Sequence, residues 1–269
     1  MKISIITINF NNLQGLKDTV ASVIDQTYDN KEMIVIDGGS TDGSAEYIEA
    51  NKDKFSYSVS EKDNGIYNAM NKGVKHATGD YVIFMNSGDS FFNRDVLTDV
   101  FAEAVTYSDI IYGSTLCCTE PGMAFIRRPH CLEVMQKNRI SAICHQSTFI
   151  KCSLMKEIGY DERFKLLGDY AFFYYCYQHG YSFQEVNKII SIYDTIGASS
   201  NPKNRWQSYK EICMIHGQKP NRCVFYFKIL ISGIKKRVKD VLPTSLRRKL
   251  TRLPNGNMPI LPIESFKQL

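Results

Sequence analysis

The chain has 269 residues, of which 43% are hydrophobic and 23% are charged, so it can bury a sizeable core and is neither disordered nor fibrous. Its eight cysteines show no C-x-x-C spacing, which argues against a zinc site, a redox motif or a disulfide framework and favours reduced, mostly buried thiols. The net charge of +5 is divided unevenly, because residues 201–269 hold 15 Lys and Arg against 3 Asp and Glu, whereas residues 1–200 hold 18 against 25. Such a basic end is expected to meet an anionic surface, either a membrane or a nucleic acid.

The first half of the chain alternates predicted strands and helices. The predicted strands cover residues 2–8, 32–36, 57–60 and 80–85, the last being a continuous apolar run. The predicted helices cover residues 15–26, a segment capped by Asp42 or Ser44, and residues 65–76. This alternation is typical of an α/β protein with a mostly parallel central sheet and helices on both faces. Because the first apolar run is too short for a signal peptide, an intracellular protein is expected.

The second half has a less regular pattern. It contains a predicted helix over residues 94–107, strands over 110–112 and 147–150, and a helix over 170–179. We expect these elements to complete the sheet and to form the other wall of a cleft. A linker-like cluster at residues 199–202 then precedes a predicted helix over 206–216 and a basic apolar segment. The sequence therefore predicts an α/β domain over residues 1–200 and a helical basic extension over residues 201–269.

Three short polar signatures follow predicted strands. They are Asn9-Phe10-Asn11-Asn12, Asp37-Gly38-Gly39-Ser40-Thr41-Asp42 and Asn86-Ser87-Gly88-Asp89. Open α/β sheets bind ligands at the carboxyl ends of their strands, and carboxylates gathered there suit a metal and a nucleotide. A dinucleotide-binding enzyme would carry a G-x-G-x-x-G turn after the first strand, where this chain has asparagines, and no G-x-x-x-x-G-K-[ST] loop occurs. These two nucleotide-binding classes are therefore disfavoured.

Five segments together resemble the inverting glycosyltransferases of family 2, which have the GT-A fold and use nucleotide-sugar donors. In chain order the segments are residues 4–11 (SIITINFN), 22–28 (SVIDQTY), 35–43 (VIDGGSTDG), 65–73 (GIYNAMNKG) and 77–80 (ATGD). The resemblance is dense over residues 2–95 and continues in patches to about residue 193. Each segment alone is a weak signal, whereas their order and spacing are specific. The resemblance implies a single Rossmann-like GT-A domain.

The resemblance also implies a metal ligand after the strand predicted at residues 80–85. Asn86-Ser87-Gly88-Asp89 stands where the family has its acidic metal-binding motif, and Asp89 matches the last aspartate. We therefore expect Asp89 to bind a divalent cation, Mg²⁺ or Mn²⁺, that also takes diphosphate oxygens. Because Asn86 and Gly88 replace acids that are common in the family, metal affinity is expected to depend on the nucleotide. The alternative is that Asp89 only caps the turn.

By the same resemblance, Asp37 is expected to bind the nucleotide base, with Thr7 and Asn9 lining the same pocket. A carboxylate that faces the N–H of uracil is chemically apt, which favours a UDP-sugar donor. The alternative is that the segment after Asp37 is an ordinary turn. Three further candidates for nucleotide binding lie in the part that resembles the segment closing over the nucleotide: Asp63, Asn68 and Lys72.

An inverting transfer needs one carboxylate to take the proton of the acceptor hydroxyl. Asp169 matches the acid that the family places at the start of a late helix facing the acceptor. A helix N-terminus lowers the pKa of a carboxylate, so this role requires burial or the acceptor to offset that effect, and a plain N-cap is the alternative. His145 and Gln146 resemble a family pair near the acceptor or the diphosphate, with a purely structural histidine as the alternative.

The segment over residues 224–252 combines an apolar run with Lys and Arg. It is too short and too charged to span a bilayer, because Lys228 interrupts the run and Lys235-Lys236-Arg237 follow it. An in-plane helix on an anionic membrane is predicted, which would place the protein at the cytoplasmic face of the cell membrane. The alternative is a helix that packs its apolar face on the catalytic domain. No nucleic-acid recognition fold accompanies the charge, so that class of partner is not expected.

The sequence thus predicts a metal-dependent inverting glycosyltransferase. It would move a sugar from a nucleotide-sugar, a UDP-sugar by expectation, to a lipid-linked or saccharide acceptor in cell-surface polysaccharide biosynthesis. The alternative is a non-catalytic nucleotide-sugar or saccharide binding module, because Asn86 and Gly88 weaken the metal motif. A nucleotidyltransferase would want a basic, glycine-rich first loop, which residues 9–12 do not offer.

Overall fold

The computed structural model describes residues 1–103, 108–120, 122–195, 202–241 and 260–266. In chain order the strands of this part are β1 (Ile3–Asn9), β2 (Lys31–Asp37), β3 (Tyr57–Ser60), β4 (Tyr81–Phe84), β5 (Ser90–Phe91), β6 (Ile110–Glu120), β7 (Met123–Arg127), β8 (Thr148–Lys151), β9 (Phe183–Asp194) and β10 (Leu261–Pro262). The helices are α1 (Leu13–Ile24), α2 (Ser44–Ala50), α3 (Ile66–His76), α4 (Val96–Glu103), α5 (Glu133–Lys137), α6 (Cys152–Ile158), α7 (Gly168–Gln178), α8 (Arg205–Ile215) and α9 (Arg222–Val241).

The central sheet is mixed, with a parallel and an antiparallel part. Its strand order is β10-β7-β6-β8-β4-β1-β2-β3, and β9 pairs with both β5 and β6. Strands β4, β1, β2 and β3 are parallel, as the α/β alternation predicts, whereas β8 lies antiparallel between β4 and β6. Strands β6 and β7 are joined by two residues, a connection that only antiparallel neighbours can use. Parallel order therefore holds for the first four strands, and mainly antiparallel pairing takes over in the second half.

The parallel strands are buried on both faces. Successive side chains of a strand point to opposite sides of the sheet. One set, which includes Ile6 and Ile34, packs with α3, α6 and α7, and the other set, which includes Ile5 and Val35, packs with α1 and α4. A strand covered on both faces shows no polar alternation, which explains the continuous apolar run at residues 81–85. Four of the eight cysteines are buried: Cys117, Cys152, Cys176 and Cys213.

Element boundaries differ from the predicted ones for local reasons. Helix α1 begins at Leu13 rather than at residue 15, because the Asn12 side chain accepts a hydrogen bond from the Gly15 N–H (3.1 Å) and caps the helix. Strand β6 runs far beyond residue 112, because it pairs in turn with β8, β9 and β7. Part of the helix predicted at 94–107 and of the linker predicted at 199–202 lies outside the described residues, and the division into two domains stays a prediction.

The start of α2 also differs from the prediction. Its N-cap is Gly43, which has no side chain to cap the helix. The Asp42 carboxylate accepts hydrogen bonds from the Ser44 N–H (3.1 Å), the first in the helix, from the Ser44 hydroxyl (2.6 Å) and from the Leu13 N–H (2.8 Å). Asp42 therefore ties the start of α2 to the start of α1.

Glu32 on β2 joins the parallel strands near their amino ends. Its buried carboxylate accepts hydrogen bonds from the Ser4 hydroxyl on β1 (2.6 Å) and from the Thr78 N–H before β4 (2.6 Å), and it pairs with Lys2 (2.6 Å). Burial by itself would raise the pKa of Glu32, but Lys2, Ser4 and Thr78 together lower that pKa to about 2. The carboxylate therefore stays charged and bonded well into the acidic range.

This depressed pKa predicts a pH-dependent stability. The unfolded pKa of Glu32 is near 4.5 and the folded pKa is about 2, so its contribution is fully present above pH 4.5 and is lost as pH falls toward 2. We expect this contribution to reach about 3 kcal/mol, at 1.36 kcal/mol per pKa unit. Urea unfolding from pH 2 to 7 should show a flatter pH profile for Glu32→Gln than for the wild type. The exposed Glu46→Gln serves as the control, and equal slopes for the wild type and Glu32→Gln would contradict the assignment.

Candidate functional site

A cavity of about 660 Å³ opens at the carboxyl end of β4. Its lining includes residues 86–89 after β4, Tyr67 and Met70 of α3, residues 144–146 before β8, and Asp169 and Tyr170 of α7. Two predicted site acids, Asp89 and Asp169, thus share one cavity although they are far apart in the sequence. His145 and Gln146 lie in the same lining.

His145 links Asp169 to the turn formed by residues 86–89 (the 86–89 turn). Its Nδ1 lies 3.0 Å from Oδ2 of Asp169, and its Nε2 lies 3.3 Å from Nδ2 of Asn86. An amide nitrogen can only donate, so Nε2 of His145 accepts and Nδ1 carries the hydrogen that is donated to Asp169. The imidazole therefore bridges the Asp169 carboxylate at one side of the cavity and the 86–89 turn at the other.

Asp169 lies in the first turn of α7 but is not its cap. The N-cap is Leu167, and the Asp169 carboxylate accepts hydrogen bonds from the Tyr67 hydroxyl (3.2 Å) and from His145. Burial by itself would raise the pKa of Asp169, but His145, the Tyr170 N–H and Tyr67 outweigh it and hold that pKa below its ordinary value. The carboxylate is therefore ionised at neutral pH, as a proton acceptor must be.

Gly168 allows Tyr67 to reach Asp169. A Cβ at position 168 would lie 2.8 Å from ring carbons of Tyr67, so a larger residue would push the ring away. Burial and the charge of Asp169 raise the pKa of Tyr67 well above its ordinary value. The hydroxyl therefore stays protonated and remains a donor to Asp169.

The 86–89 turn carries the predicted metal ligand. The Asp89 carboxylate accepts a hydrogen bond from the Asn86 N–H (3.2 Å), and Gly88 has a φ of 101°. A side chain at position 88 would be strained by that φ, which favours glycine there. Oδ1 of Asn86 and Oγ of Ser87 are buried and have no hydrogen-bond partner among the described residues. Among the residues that the structure describes, no group of three or more His, Cys, Asp or Glu side chains is arranged to hold a metal ion.

Asp37 lies behind this edge of the sheet and does not line the cavity. It is fully buried, and its carboxylate accepts hydrogen bonds from the Asn9 amide (2.6 Å), the Ser40 and Ser60 hydroxyls (2.5 and 2.6 Å) and the Gly39 and Ser40 N–H groups (3.2 and 2.9 Å). Burial by itself would raise the pKa of Asp37, but these donors lower it. On β1, Oγ1 of Thr7 and Oδ1 of Asn9 are buried without a partner among the described residues.

The other predicted nucleotide-binding residues are paired with protein groups beside α3. Lys72 forms ion pairs with Asp63 (2.6 Å) and Glu61 (2.7 Å). The Asn68 amide donates to Glu162 at 2.9 Å. Asp63, Asn68 and Lys72 do not line the cavity, so the structure does not bring them to Asp89 and Asp169.

The turn over residues 145–147 is fixed by buried hydroxyl groups. Gln146 is buried in the cavity wall. The Ser147 hydroxyl lies 2.7 Å from those of Thr115 on β6 and Ser191 on β9. The backbone that presents His145 is therefore anchored to two strands of the sheet.

Sequence reasoning missed several groups at the site. Arg127 at the end of β7 and Lys165 before α7 line the cavity and bring positive charge to it. Phe10 is 67% exposed, and its ring lies so close to Gly38 that a Cβ there would be 3.2 Å from it. Tyr67 could have been found, because it stands inside a segment that carries the family resemblance. Arg127 and Lys165 come from irregular parts of the chain that no motif marks.

The fold is that of the GT-A glycosyltransferases. The crystal structure of S. aureus TarS 1–349 in complex with UDP-GlcNAc resembles this chain with a TM-score of 0.60 and 18% sequence identity, over 80% of this chain and 66% of that chain. The α/β class predicted from the sequence is therefore confirmed, with a mixed and curled sheet.

The chain belongs to glycosyltransferase family 2. The family model described as "Glycosyl transferase family 2" matches residues 4–164. An uncharacterized glycosyltransferase of Mycobacterium tuberculosis is 36% identical over 179 residues, and the match spans 63% of this chain and 66% of the relative's length. A PGL/p-HBAD biosynthesis glycosyltransferase of Mycobacterium bovis is 30% identical over 212 residues, 74% of this chain and 78% of that protein.

The contact between His145 and Asp169 predicts how the acid titrates. Burial raises the pKa of Asp169 and His145 lowers it. Removing the imidazole in His145→Ala takes away the lowering effect, so the pKa of Asp169 should rise. In His145→Asn, an amide nitrogen can take the place of Nδ1, so the rise should be smaller. The carboxyl carbon shift of Asp169, followed against pH by NMR, measures the effect. His179→Ala, an exposed change beyond the end of α7, is the control; an unaltered Asp169 titration in His145→Ala would refute the linkage.

Proposed function

We propose that the protein transfers a sugar from a nucleotide-sugar donor, a UDP-sugar, to a hydroxyl of a lipid-linked or saccharide acceptor. The transfer would invert the anomeric carbon and would serve cell-surface polysaccharide biosynthesis. The observation that carries the proposal is one cavity with Asp89 at the 86–89 turn and Asp169 bonded to His145. Sugar transfer needs charge stabilisation for the leaving diphosphate and a base for the acceptor, and the two acids suit these two tasks.

A structural neighbour supports a nucleotide-sugar donor. TarS was crystallised with UDP-GlcNAc, which is a UDP-sugar. The mycobacterial relative is named for PGL/p-HBAD biosynthesis, so it is a glycosyltransferase of a biosynthetic route. Because this chain spans 66% of the length of the first relative, the acceptor and the linkage are proposed from the site rather than transferred from any one protein.

Asp169 is proposed as the base. It would take the proton of the acceptor hydroxyl while that oxygen bonds to the anomeric carbon and the nucleoside diphosphate leaves. His145 holds Oδ2 and Tyr67 holds Oδ1, so the plane of the carboxylate is fixed by two donors. The remaining lone pairs then have one orientation in the cavity, which favours a productive approach of the acceptor.

Asp89 and Asn86 are the residues that would hold a divalent cation. Mg²⁺ and Mn²⁺ take hard oxygen ligands, and one or two carboxylates with substrate phosphates commonly suffice for Mg²⁺. Oδ1 of Asn86, buried at the cavity without a partner among the described residues, fits that donor set. When bound, the cation would neutralise charge on the leaving diphosphate. With one acid in the turn, its affinity would depend on the nucleotide.

The nucleotide base is proposed to bind at the carboxyl ends of β1 and β2. Thr7 and Asn9 offer polar atoms without partners there, and the exposed ring of Phe10 offers a face on which a base can stack. The Asp37 carboxylate would have to release one of its donors to accept the N–H of uracil, and until then it orients Asn9. Three residues are proposed for the segment that closes over the nucleotide: Asp63, Asn68 and Lys72.

Replacement of the base tests the proposed function. We expect Asp169→Asn to lower the rate of sugar transfer by about 10² to 10⁴-fold, because an amide cannot take the acceptor proton. UDP binding, measured by calorimetry with Mn²⁺, should be retained. The exposed Asp53→Asn is the matched control and should leave both quantities unchanged. A fully active Asp169→Asn variant would remove the base assignment.

The same measurements separate the enzyme from a non-catalytic binding module. The module is favoured by the loss of acids at Asn86 and Gly88. It predicts that UDP or a UDP-sugar binds the wild type, whereas no donor is hydrolysed or transferred with Mn²⁺ present. Turnover of any nucleotide-sugar by the wild type, lost in Asp169→Asn, excludes the module.

We also propose that α9 lies in the interface of an anionic membrane, which makes the protein peripheral at the cytoplasmic face. Phe225 packs on Trp206 and Tyr209 of α8, with ring centroids 4.9 and 5.2 Å apart, and so attaches α9 to the preceding helix. The outward side chains Tyr226, Phe227 and Leu230 are 65%, 62% and 60% exposed. No helix among the described residues has the length and apolarity to cross a bilayer. Residues 242–252 of the predicted membrane segment lie outside the described residues.

The outward apolar side chains predict vesicle binding. The double change Phe227→Gln/Leu230→Gln should weaken binding to phosphatidylglycerol-containing vesicles by about tenfold for each side chain, because each loses roughly 1.5 kcal/mol of apolar burial. Co-sedimentation measures the effect. The double change Ile24→Gln/Ile140→Gln, also at exposed apolar positions, is the control. If both double variants bind such vesicles as well as the wild type, α9 does not enter the interface.

A further inference from the structure

Glu211 of α8 is a buried carboxylate bound to the backbone that leads into α7. It is 3% exposed. Oε1 accepts a hydrogen bond from the Lys165 N–H (3.0 Å), and Oε2 accepts from the N–H groups of Leu166 (3.0 Å) and Leu167 (2.9 Å). One turn earlier, Gln207 donates its amide to Oε1 at 2.6 Å. Three consecutive backbone donors therefore converge on one carboxylate.

No Lys or Arg in the described part of the chain forms a salt bridge with Glu211. A buried charge of this kind is costly unless hydrogen bonds compensate it. Here the compensation comes from three backbone N–H groups and the Gln207 amide. The position of the 165–167 backbone is therefore tightly coupled to the position of Glu211.

The segment held by Glu211 is a wall of the cavity. Lys165, Leu166 and Leu167 all line it, and Leu167 is the N-cap of α7. Asp169 follows two residues later in the first turn of the same helix. A shift of the 165–167 backbone would therefore move the Asp169 carboxylate away from His145.

A second contact joins α8 to the same wall. Nε2 of His216, which follows α8, lies 2.7 Å from the hydroxyl of Tyr170, and that hydroxyl donates to the carbonyl oxygen of Met135 (2.9 Å). Tyr170 also lines the cavity. The segment from Glu211 to His216 thus holds the start of α7 at two places.

We propose that Glu211 is a positioning residue for sugar transfer, which holds the 165–167 backbone so that Asp169 faces the acceptor. The proposal rests on the proposed function, in which Asp169 is the base. In this proposal α8, which the sequence predicts to belong to a basic extension, supports the wall that receives the acceptor. The groups that donate to Glu211 belong to the 165–167 backbone and to Gln207, and not to the ends of β1, β2 and β4 where the donor is proposed to bind. The two sides should therefore respond differently to its loss.

The first test measures the order of the 165–167 backbone and does not depend on enzyme activity. Glu211→Gln keeps the size of the side chain but puts an amide nitrogen where backbone donors converge. We expect hydrogen exchange at the 165–167 amides to accelerate and the NMR signal of the His145 Nδ1–H to shift. The exposed Glu157→Gln on α6 is the matched control and should change neither. Unchanged exchange at 165–167 in Glu211→Gln would overturn the proposal.

The second test measures the kinetics of sugar transfer. We expect kcat for Glu211→Gln to fall by about 10²-fold, because a misplacement of about 1 Å costs that much, with the KM for the donor unchanged. Gln207→Ala, which only frees the carboxylate from its neighbour, should give a smaller fall and serves if Glu211→Gln does not fold. Loss of local protection with an unchanged kcat would overturn the positioning role, as would a rise in donor KM that accounts for the whole effect.

The two tests distinguish failure of this proposal from failure of the proposed function. If the wild type transfers no sugar but Glu211→Gln still releases the 165–167 amides and moves the His145 signal, the function fails and the positioning contact stands. If the wild type is active and the variants show the control's rate, the function stands and the positioning role fails.

Discussion

The site depends on β1, β2 and β4 lying parallel and in register. Ser4 on β1 is opposite Glu32 on β2 and Val82 on β4, and the turns that follow these strands therefore meet at one edge of the sheet. A slip by one residue would exchange the two buried apolar faces, so packing alone fixes the register strongly. Glu32 stabilises the same register, because its carboxylate can accept hydrogen bonds from both Ser4 and Thr78 only in this alignment.

The antiparallel strand β8 is what brings His145 to the parallel edge. In its pairing with β4, Lys151 is opposite Tyr81 and Ile150 is opposite Val82, so the beginning of β8 lies at the carboxyl end of β4. The turn that precedes β8 therefore reaches the 86–89 turn, and His145 can bond Asn86. A parallel strand in the same place would start at the opposite edge and would carry His145 away. The mixed character of the sheet is thus a condition for the site.

The sequence predicted the elements that depend on local pattern and the residues that carry motifs. The α/β alternation, the position of Asp89 after β4 and the place of Asp169 in the first turn of a late helix follow from apolar periodicity and from the family resemblance. Partners distant in sequence could not be predicted. Nothing local shows that the Asn9 amide and the Ser60 hydroxyl also bond Asp37, and Glu211 beside Lys210 has the pattern of a solvated helix face until the fold closes the 165–167 backbone over it. Side-chain contacts of this range are set by packing, which no single segment encodes.

The Asn86 side chain can interact with both ends of the cavity. It donates through Nδ2 to His145, while Oδ1 has no hydrogen-bond partner among the described residues. A cation held by Oδ1 and Asp89 would polarise the amide and make Nδ2 a stronger donor, because both groups belong to one conjugated unit. The stronger bond would hold the His145 tautomer whose Nδ1–H faces Asp169. Asn86 and His145 would thus connect the proposed cation site to Asp169, the proposed base.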